Sequence, residues 1–226
     1  MVLSLSRAAA VRIAPFALFM ALLAVRAAAP ADGSWGLDPR WLYGLTVLLV
    51  GALLLLFWRD YGELTRQTWP GAGEALLAVA VGVAVFALWI QLDAPWMTLG
   101  EPSAGFVPLR ADGSIDWPLV AVRLLGAAVL VPLMEELFWR SFLMRWLQAP
   151  TFEGVDPTRV GLKAIVLSTF VFVLAHTLWL AAAVAGLAYA WLYVRSGKLW
   201  LPVIAHAVTN GVLGAWVIAT GNWQFW

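Results

Sequence analysis

Long apolar segments alternate with short polar connectors along the whole chain. Each apolar segment reaches or approaches the roughly 20 residues that an α-helix needs to span a bilayer. The pattern predicts seven membrane-spanning helices, over residues 11–29, 41–58, 74–92, 117–147, 161–178, 180–194 and 199–220. Polar and turn-forming residues fill connectors such as 31–34, 59–63 and 111–114. The predicted fold class is an all-α, multi-pass transmembrane bundle, with eight helices as the alternative if another lies in the first half.

Two features within this pattern concern individual helices. The fourth segment would form a helix about 46 Å long at ~1.5 Å per residue, which is too long for one span perpendicular to the membrane. We expect Pro132 to kink it, or its ends to extend into the interfaces. The fifth and sixth segments are expected to form a tight hairpin, because small residues recur there at a spacing that lets helices approach closely. These small residues are Ala181, Ala182, Ala185, Gly186 and Ala190.

Composition strengthens the membrane prediction. Hydrophobic residues make up 63% of the chain and charged residues 12%, whereas a soluble domain is about half apolar and about one quarter charged. Many of the 15 tryptophans lie near the ends of apolar segments, as in the aromatic belts at membrane surfaces. There is no repeat of fixed period and no low-complexity linker, so residues 1–226 are predicted to form a single domain.

Charge excludes some functions and predicts an orientation. A net charge of +1 provides no basic field for nucleic acid. The absence of cysteine excludes disulfides, thiolate metal sites and a cysteine nucleophile. Lys and Arg are more frequent on the side of the N-terminus, which predicts a plasma (inner) membrane protein with a cytoplasmic N-terminus. That side holds Arg7, Arg12, Arg59, Arg66, Arg145, Arg159, Lys163, Arg195 and Lys198, and the other holds Arg26, Arg40 and Arg110.

The first 30 residues admit two interpretations. Arg7, an apolar stretch and three alanines at 27–29 fit a secretory signal with a small-residue cleavage site. Arg12 and Pro15 interrupt the apolar stretch, and further apolar segments follow. We expect the first segment to be retained as a membrane helix, with cleavage as the alternative.

The last four segments carry ionisable and polar residues that the membrane disfavours. An ionisable side chain at a helix centre costs about 2.5–3.5 kcal/mol and usually marks function. The depth of each group in the bilayer can be counted along its helix from the nearest Lys or Arg in a connector, at ~1.5 Å per residue. Counted in this way, the groups lie at similar depths on three helices. We expect them to converge slightly inside the bilayer midplane. The residues are Glu135, Glu136, Arg140, His176, His206 and Asn210.

Spacing along each helix suggests which of these residues share a face. Glu136 and Arg140 are separated by four residues and can form a buried ion pair, while Glu135 points about 100° away from that face. His206 and Asn210 are also four residues apart. Each group alone has a structural interpretation, as an ion pair locking helices or as interhelical hydrogen bonding. Arg123 is expected to extend toward Asp116 at the outer interface and receives no role.

Three short motifs in order resemble those of a known family. Glu135-Glu136-Leu-Phe-Trp-Arg140 is similar to the EExxxR motif of the CAAX protease and bacteriocin-processing (Abi) family. Phe172-Val-Leu-Ala-His176 is similar to its FxxxH motif, and His206-Ala-Val-Thr-Asn210 to its HxxxN motif. The resemblance covers about the last 110 residues and predicts catalytic core helices over 117–220.

Two further details concern this resemblance. Ser141 follows Arg140 where many members of the family have glycine, which affects local packing more than chemistry. In the N-terminal half, the stretch 58–64 (Trp-Arg-Asp-Tyr-Gly-Glu-Leu) resembles CAAX-protease-related proteins that accompany exosortase sorting systems, which predicts that subgroup.

The resemblance implies a metal-independent glutamate-type endopeptidase acting in the membrane. A carboxylate removed from bulk water is a stronger base, which suits Glu135 for activating water with help from His176. His206 and Asn210 are candidates for binding the developing oxyanion. Glu136 and Arg140 are expected to orient Glu135, and Phe172 to enclose His176. No cofactor or metal is expected.

Several alternatives remain open at this stage. Two histidines and two glutamates could bind Zn²⁺ in a metal-assisted hydrolase. The same fold could also serve a non-catalytic membrane binding or immunity protein. The expected partners are the lipid bilayer and a peptide or a lipidated or membrane-anchored protein. The cleavage site, prenylation of the substrate and the oligomeric state do not follow from the sequence.

Overall fold

The apolar segments are α-helices at all seven predicted positions. The structure is a computed structural model that describes residues 6–30, 34, 36, 38–100 and 105–226. The predicted and observed helix bounds agree to within about five residues, and the all-α fold class is confirmed. In chain order the helices are α1 Arg7–Ala28, α2 Trp41–Leu56, α3 Ala72–Trp89, α4 Trp117–Gln148, α5 Leu162–Leu174, α6 Trp179–Ser196 and α7 Trp200–Thr220.

The helices differ in how well they suit a membrane. Helices α1, α3, α4 and α7 are each long and apolar enough to cross one. Helices α2 and α5 are apolar but shorter, with 16 and 13 residues, and α6 is not among the four. A multi-pass membrane bundle is therefore supported, whereas the count of seven crossings stays a prediction.

Helix α4 accommodates Pro132 through a change in its hydrogen bonding. It runs from Trp117 to Gln148 without a break, but Gly126–Leu130 and Leu137–Met144 are π-helical. Such wide turns occur frequently at functional sites. The first ends two residues before Pro132, in the turn where a proline ring would clash with a regular α-helix. The 32-residue helix is thus continuous, with wide turns on either side of the two glutamates.

Small residues allow the helices around α7 to approach closely. A Cβ added at Gly82 of α3 would lie 2.4 Å from the carbonyl oxygen of Ala205 on α7. Helices α5 and α6 form the expected close hairpin, since a Cβ at Gly186 would lie 2.8 Å from Cγ2 of Thr169. These contacts bring α3 directly against the motif-bearing helix α7 and α5 directly against α6.

A buried polar network ties the N-terminal helix to α4. Helix α1 continues through Pro15, and Arg12 is buried within it. The Arg12 guanidinium donates to both oxygens of Glu63, at 2.9 and 2.6 Å, and to Ser141 Oγ at 2.9 Å. The Ser141 hydroxyl also donates to Glu63. Ser141, the residue after Arg140, is therefore part of an interhelical network.

The connectors contain several short turns where the structure describes them. The 58–64 stretch forms two 3₁₀ turns, Trp58–Asp60 and Gly62–Leu64, and its Tyr61 hydroxyl donates to the carbonyl of Val11 at 2.9 Å. Gly113 has a φ of 81°, which completes the turn predicted at 111–114. Most of the connector predicted at 31–34 lies outside the described residues.

Candidate active site

A cavity of about 180 Å³ lies among α3, α4, α6, α7 and the end of α5. We call it the site cavity. The four residues expected to do chemistry face this one space, although they come from three separate segments of the chain. This arrangement agrees with the similar depths expected for these residues on their helices, and their chemical roles stay predictions. The site-cavity lining includes Arg123, Glu135, Phe172, His176, His206 and Asn210.

Glu135 presents its carboxylate to the site cavity from α4. Its side chain is 8% exposed. The indole N–H of Trp139, one helical turn later, donates to Oε2 at 3.3 Å. Within the described residues the other oxygen, Oε1, makes no hydrogen bond, so it is free to accept one from a bound molecule.

His176 lies just after α5, in the short connection to α6. Its Nδ1 is 2.8 Å from the carbonyl oxygen of Phe172. Because a carbonyl only accepts, Nδ1 carries the hydrogen and Nε2 of the neutral ring is an acceptor. The ring of Phe172 lies 4.3 Å from the imidazole and that of Trp89 lies 5.9 Å away. These contacts fix the tautomer and orientation of His176.

Glu136 is enclosed completely and holds two partners with one oxygen. Its exposed fraction is 0%. Oε1 accepts from Arg140 Nη1 at 3.1 Å and from His206 Nδ1 at 2.9 Å. The ion pair with Arg140 is the one expected from their spacing. The bond to His206 joins α4 to α7 and makes Nε2 the imidazole nitrogen available to the site cavity.

Aromatic rings and a backbone carbonyl hold the other members of this cluster. The Arg140 guanidinium lies 4.8 Å from the Phe172 ring and donates to the Gly186 carbonyl at 3.2 Å. His206 stacks on Tyr189 with 5.0 Å between ring centroids. Phe172 therefore contacts both the His176 imidazole and the Arg140 guanidinium, whereas its motif spacing predicted only the contact with His176.

Two residues of the site were missed by sequence reasoning. The Tyr189 hydroxyl donates to Thr209 Oγ1 at 2.8 Å. The Thr209 hydroxyl lies 2.9 Å from the Gly82 carbonyl and 3.0 Å from that of Ala205. This chain fixes the ring on which His206 stacks. Thr209 lies inside the HxxxN segment, but nothing in the sequence indicates that Tyr189 of α6 faces it.

Asn210 compensates for the proline in α4. Its Nδ2 donates to the carbonyl of Ala127 at 2.8 Å. The amide of Val131, four residues beyond Ala127, donates instead to Gly126, and Pro132, five residues beyond, has no N–H. The Asn210 amide supplies the missing donor, and its second N–H hydrogen remains for another acceptor.

Two expectations require correction. Glu136 and Arg140 were expected to orient Glu135, but their hydrogen bonds go to each other, to His206 and to the Gly186 carbonyl. The cause is the rotation of Glu136 away from Glu135 on α4. Arg123 does not reach Asp116, which instead lies 3.7 Å from Arg110. Arg123 points inward and lines the site cavity.

The donor set gives no support for the zinc alternative. Within the described part of the chain, no three or more His, Cys, Asp or Glu side chains are grouped so that they could hold a metal ion. Glu136 and His206, two of the four expected zinc ligands, are bonded to each other. Hydrolysis without a cofactor stays a prediction.

Comparisons with known proteins agree with the motif-based resemblance. Residues 117–212, less than half of the chain, match the family model for Rce1-like type II CAAX prenyl endopeptidases. No curated protein matches the chain, and neither does any solved structure. The match supports membrane endopeptidase activity, while the exosortase-related subgroup stays a prediction. Residues 117–212 therefore form an Rce1-like type II CAAX prenyl endopeptidase domain, consistent with the CAAX protease and bacteriocin-processing family.

Proposed function

We propose that the protein is a glutamate-type endopeptidase that hydrolyses a peptide bond inside the membrane without a metal. One observation carries the proposal. A single cavity is lined by the carboxylate of Glu135, the imidazoles of His176 and His206, and the amide of Asn210. Together these groups supply a general base, a second group that binds the attacking water, and hydrogen-bond donors for the oxyanion. Peptide hydrolysis requires all three functions.

Glu135 acts as the general base in this mechanism. Its Oε1 takes a proton from a water molecule that also donates to Nε2 of His176. The resulting hydroxide attacks the carbonyl carbon of the substrate and forms a tetrahedral oxyanion. When that intermediate collapses, the C–N bond breaks and the leaving nitrogen takes the proton from Glu135. The products are a carboxylic acid and an amine, and Glu135 is restored as a carboxylate.

His206 and Asn210 bind the oxyanion. Since His206 Nδ1 donates to Glu136, Nε2 donates to the substrate only when the imidazole is protonated. With that proton, the cluster of Glu135, Glu136, Arg140 and His206 has no net charge, which favours its burial. Asn210 contributes its second N–H hydrogen. One such donor is worth about 3 kcal/mol of transition-state stabilisation in other proteases.

The proposal extends to substrate and location. The substrate is a peptide or a membrane-anchored protein whose scissile bond enters the site cavity from the bilayer. The protein resides in the plasma (inner) membrane with its N-terminus in the cytoplasm, as the distribution of Lys and Arg predicts.

Comparison of membrane proteomes tests the peptidase activity. Cells producing the wild-type protein or Glu135→Gln are compared for new peptide termini, with Glu153→Gln as control because Glu153 is an exposed loop glutamate. We expect termini that are present with wild type and Glu153→Gln and absent with Glu135→Gln. Identical termini in all three would refute the peptidase and favour a non-catalytic role.

Chelation separates the two hydrolytic mechanisms. Once a cleaved peptide is known, its hydrolysis by purified protein is measured with 1,10-phenanthroline and after adding Zn²⁺. We expect activity to remain within about twofold of the untreated protein. Loss with the chelator and recovery with Zn²⁺ would replace the glutamate mechanism by a metal-assisted one.

A further inference from the structure

An open pocket of about 610 Å³ lies between the connector that follows α2 and the first residue of α7. We call it the connector pocket. Its volume is within the ~300–1,000 Å³ that is usual for small-molecule sites. Among the described residues it shares no lining residue with the site cavity. Its lining residues are Trp58, Leu64, Thr65, Arg66, Trp69 and Trp200.

A hydrogen bond and ring packing hold the walls of the connector pocket in place. The Trp200 indole N–H donates to the carbonyl of Thr65 at 3.3 Å, and the Trp69 ring lies 4.8 Å from that of Trp200. Trp58 and Trp69 nevertheless remain exposed. Tryptophan is enriched where its apolar ring meets lipid at the level of the headgroups. The pocket therefore has the walls expected of a site at the membrane surface.

Arg66 gives the connector pocket a positive charge that no described residue neutralises. Each acid of the connector and of the first turn of α3 already has a basic partner. These ion pairs are Asp60–Arg7, Glu63–Arg12 and Glu74–Lys198, at 3.0, 2.6 and 2.7 Å. Within the described part of the chain, neither Arg66 nor the nearby Arg59 forms a side-chain hydrogen bond or an ion pair. The pocket therefore complements an anion, and a guanidinium matches the geometry of a phosphate.

The surroundings of the connector pocket indicate which anion it meets. The ion pair between Arg7 and Asp60 places the connector beside the N-terminal end of α1, on the side predicted to be cytoplasmic. Anionic lipids give that membrane surface a negative potential. Leu55 and Leu56 at the end of α2, and Leu76 near the start of α3, are exposed. They offer apolar surface for acyl chains on both helices that the connector joins.

We propose that the connector pocket binds the headgroup of an anionic phospholipid. Arg66 donates hydrogen bonds to the phosphate oxygens, and the tryptophan rings pack against the glycerol backbone. The acyl chains lie along the exposed leucines of α2 and α3. Because the pocket is lined by both the connector and Trp200, the bound lipid stabilises their contact. This site is independent of the proposed peptidase activity.

Binding of two matched lipids tests this site without any assay of hydrolysis. The purified protein in detergent is titrated with dioleoylphosphatidylglycerol or with dioleoylphosphatidylcholine, and bound lipids are counted by native mass spectrometry. The two lipids share their acyl chains and phosphate, and they differ in net charge. We expect phosphatidylglycerol to bind at least about fivefold more tightly, the preference that one basic residue near a membrane provides for an anionic lipid.

Variants assign the preference to Arg66. Arg66→Gln should reduce it to less than about twofold, whereas Arg66→Lys should retain part of it, because the charge remains without the planar fork. Lys163→Gln is the matched control, since Lys163 is an exposed cation on the same predicted side and should leave the preference unchanged. Phosphatidylglycerol should also raise the unfolding temperature of wild type and Lys163→Gln more than that of Arg66→Gln.

Several results would overturn the proposal. These are equal binding of the two lipids, tighter binding of phosphatidylcholine, or a preference that survives Arg66→Gln. An equal loss in Lys163→Gln would indicate a general effect of surface charge and would also contradict it. Displacement of phosphatidylglycerol by an equal concentration of glycerol phosphate would assign the pocket to a soluble phosphate compound. Hydrolysis enters none of these measurements, so the lipid site and the peptidase can fail separately.

Discussion

The carboxylate of Glu136 couples the two helices that carry most of the site. One oxygen binds both Arg140 of α4 and His206 of α7, in a residue with no exposed surface. A buried ion pair adds little net stability compared with two apolar side chains of similar size. Removing only one partner, however, leaves the other charge buried without compensation. Glu136 therefore contributes to function by accepting the hydrogen bond from His206 Nδ1, and to stability through its ion pair with Arg140.

Substitution of Glu136 and Arg140 tests the contribution of their ion pair to stability. Glu136→Gln is expected to lower the free energy of unfolding by about 3 kcal/mol, because Arg140 keeps a buried charge without its partner. Arg140→Leu alone should also destabilise. The double variant removes both charges. Its loss in free energy of unfolding should therefore be smaller, by at least about 1 kcal/mol, than the sum of the losses in the two single variants. Unfolding of the detergent-solubilised protein measures all four species, and additive losses would contradict the coupling.

At the scale of elements, the wide turn in α4 and the asparagine of α7 form one structural unit. The proline removes a donor, the π-helical hydrogen bonds redirect another, and Asn210 satisfies the carbonyl that is left. The HxxxN asparagine therefore has a structural function besides the oxyanion role proposed for it.

This arrangement predicts a dependence between two positions. Asn210→Ala should lower the free energy of unfolding by about 1–3 kcal/mol, the cost of a buried carbonyl without a donor. In a Pro132→Ala background the loss should be smaller, because residue 132 then supplies an N–H. Thermal unfolding of the four proteins provides the test. An equal loss in both backgrounds would show that Asn210 does not compensate for Pro132.

The contact between α3 and α7 requires a glycine at one position. A Cβ at Gly82 would lie 2.4 Å from a carbonyl oxygen and 2.8 Å from Cβ of Val208, and backbone cannot yield as a flexible side chain can. Gly82→Ala should therefore destabilise the bundle by about 1–3 kcal/mol. Gly73→Ala in the first turn of α3 has nothing within 4 Å and should be neutral or slightly stabilising. Similar unfolding temperatures for both variants would refute this explanation.

At the scale of the whole molecule, the N-terminal half is bonded to the motif-bearing half directly beside the EExxxR motif. Arg12 of α1, Glu63 of the connector and Ser141 of α4 share one buried network. Burial raises the pKa of Glu63, but the hydrogen bonds and charge of Arg12 and the Ser141 hydroxyl together lower it by more. The pKa of Glu63 therefore lies below its usual value of 4.5.

This shift predicts a pH-dependent contribution to stability. A group with a depressed pKa in the folded state stabilises fully above its unfolded pKa, and that contribution disappears as pH falls through the folded value. The gap in unfolding temperature between wild type and Glu63→Gln should thus be largest above about pH 5.5 and shrink below about pH 4.5. Glu153→Gln, in an exposed loop, should show no such gap. A gap that stays constant with pH would contradict the assignment.

The sequence determined the helices and the choice of polar residues. Apolar segment length is a local property, so all seven helix positions followed from it. The cost of ionisable groups in a membrane singled out Glu135, Glu136, Arg140, His176 and His206. Because helical rise is constant, their depths could also be compared across helices, and in the structure Glu135, His176 and His206 line one cavity.

Only the tertiary structure decided which of these groups bond to one another. Glu136 binds His206, 70 positions away, and Asn210 binds a carbonyl 83 positions away. Arg123 points into the cavity rather than toward Asp116. Such pairings depend on how far each helix is rotated about its own axis, which apolar periodicity specifies poorly in a bundle surrounded by lipid. Each π turn in α4 changes that rotation for every residue beyond it, so the partners are set by packing against α5, α6 and α7.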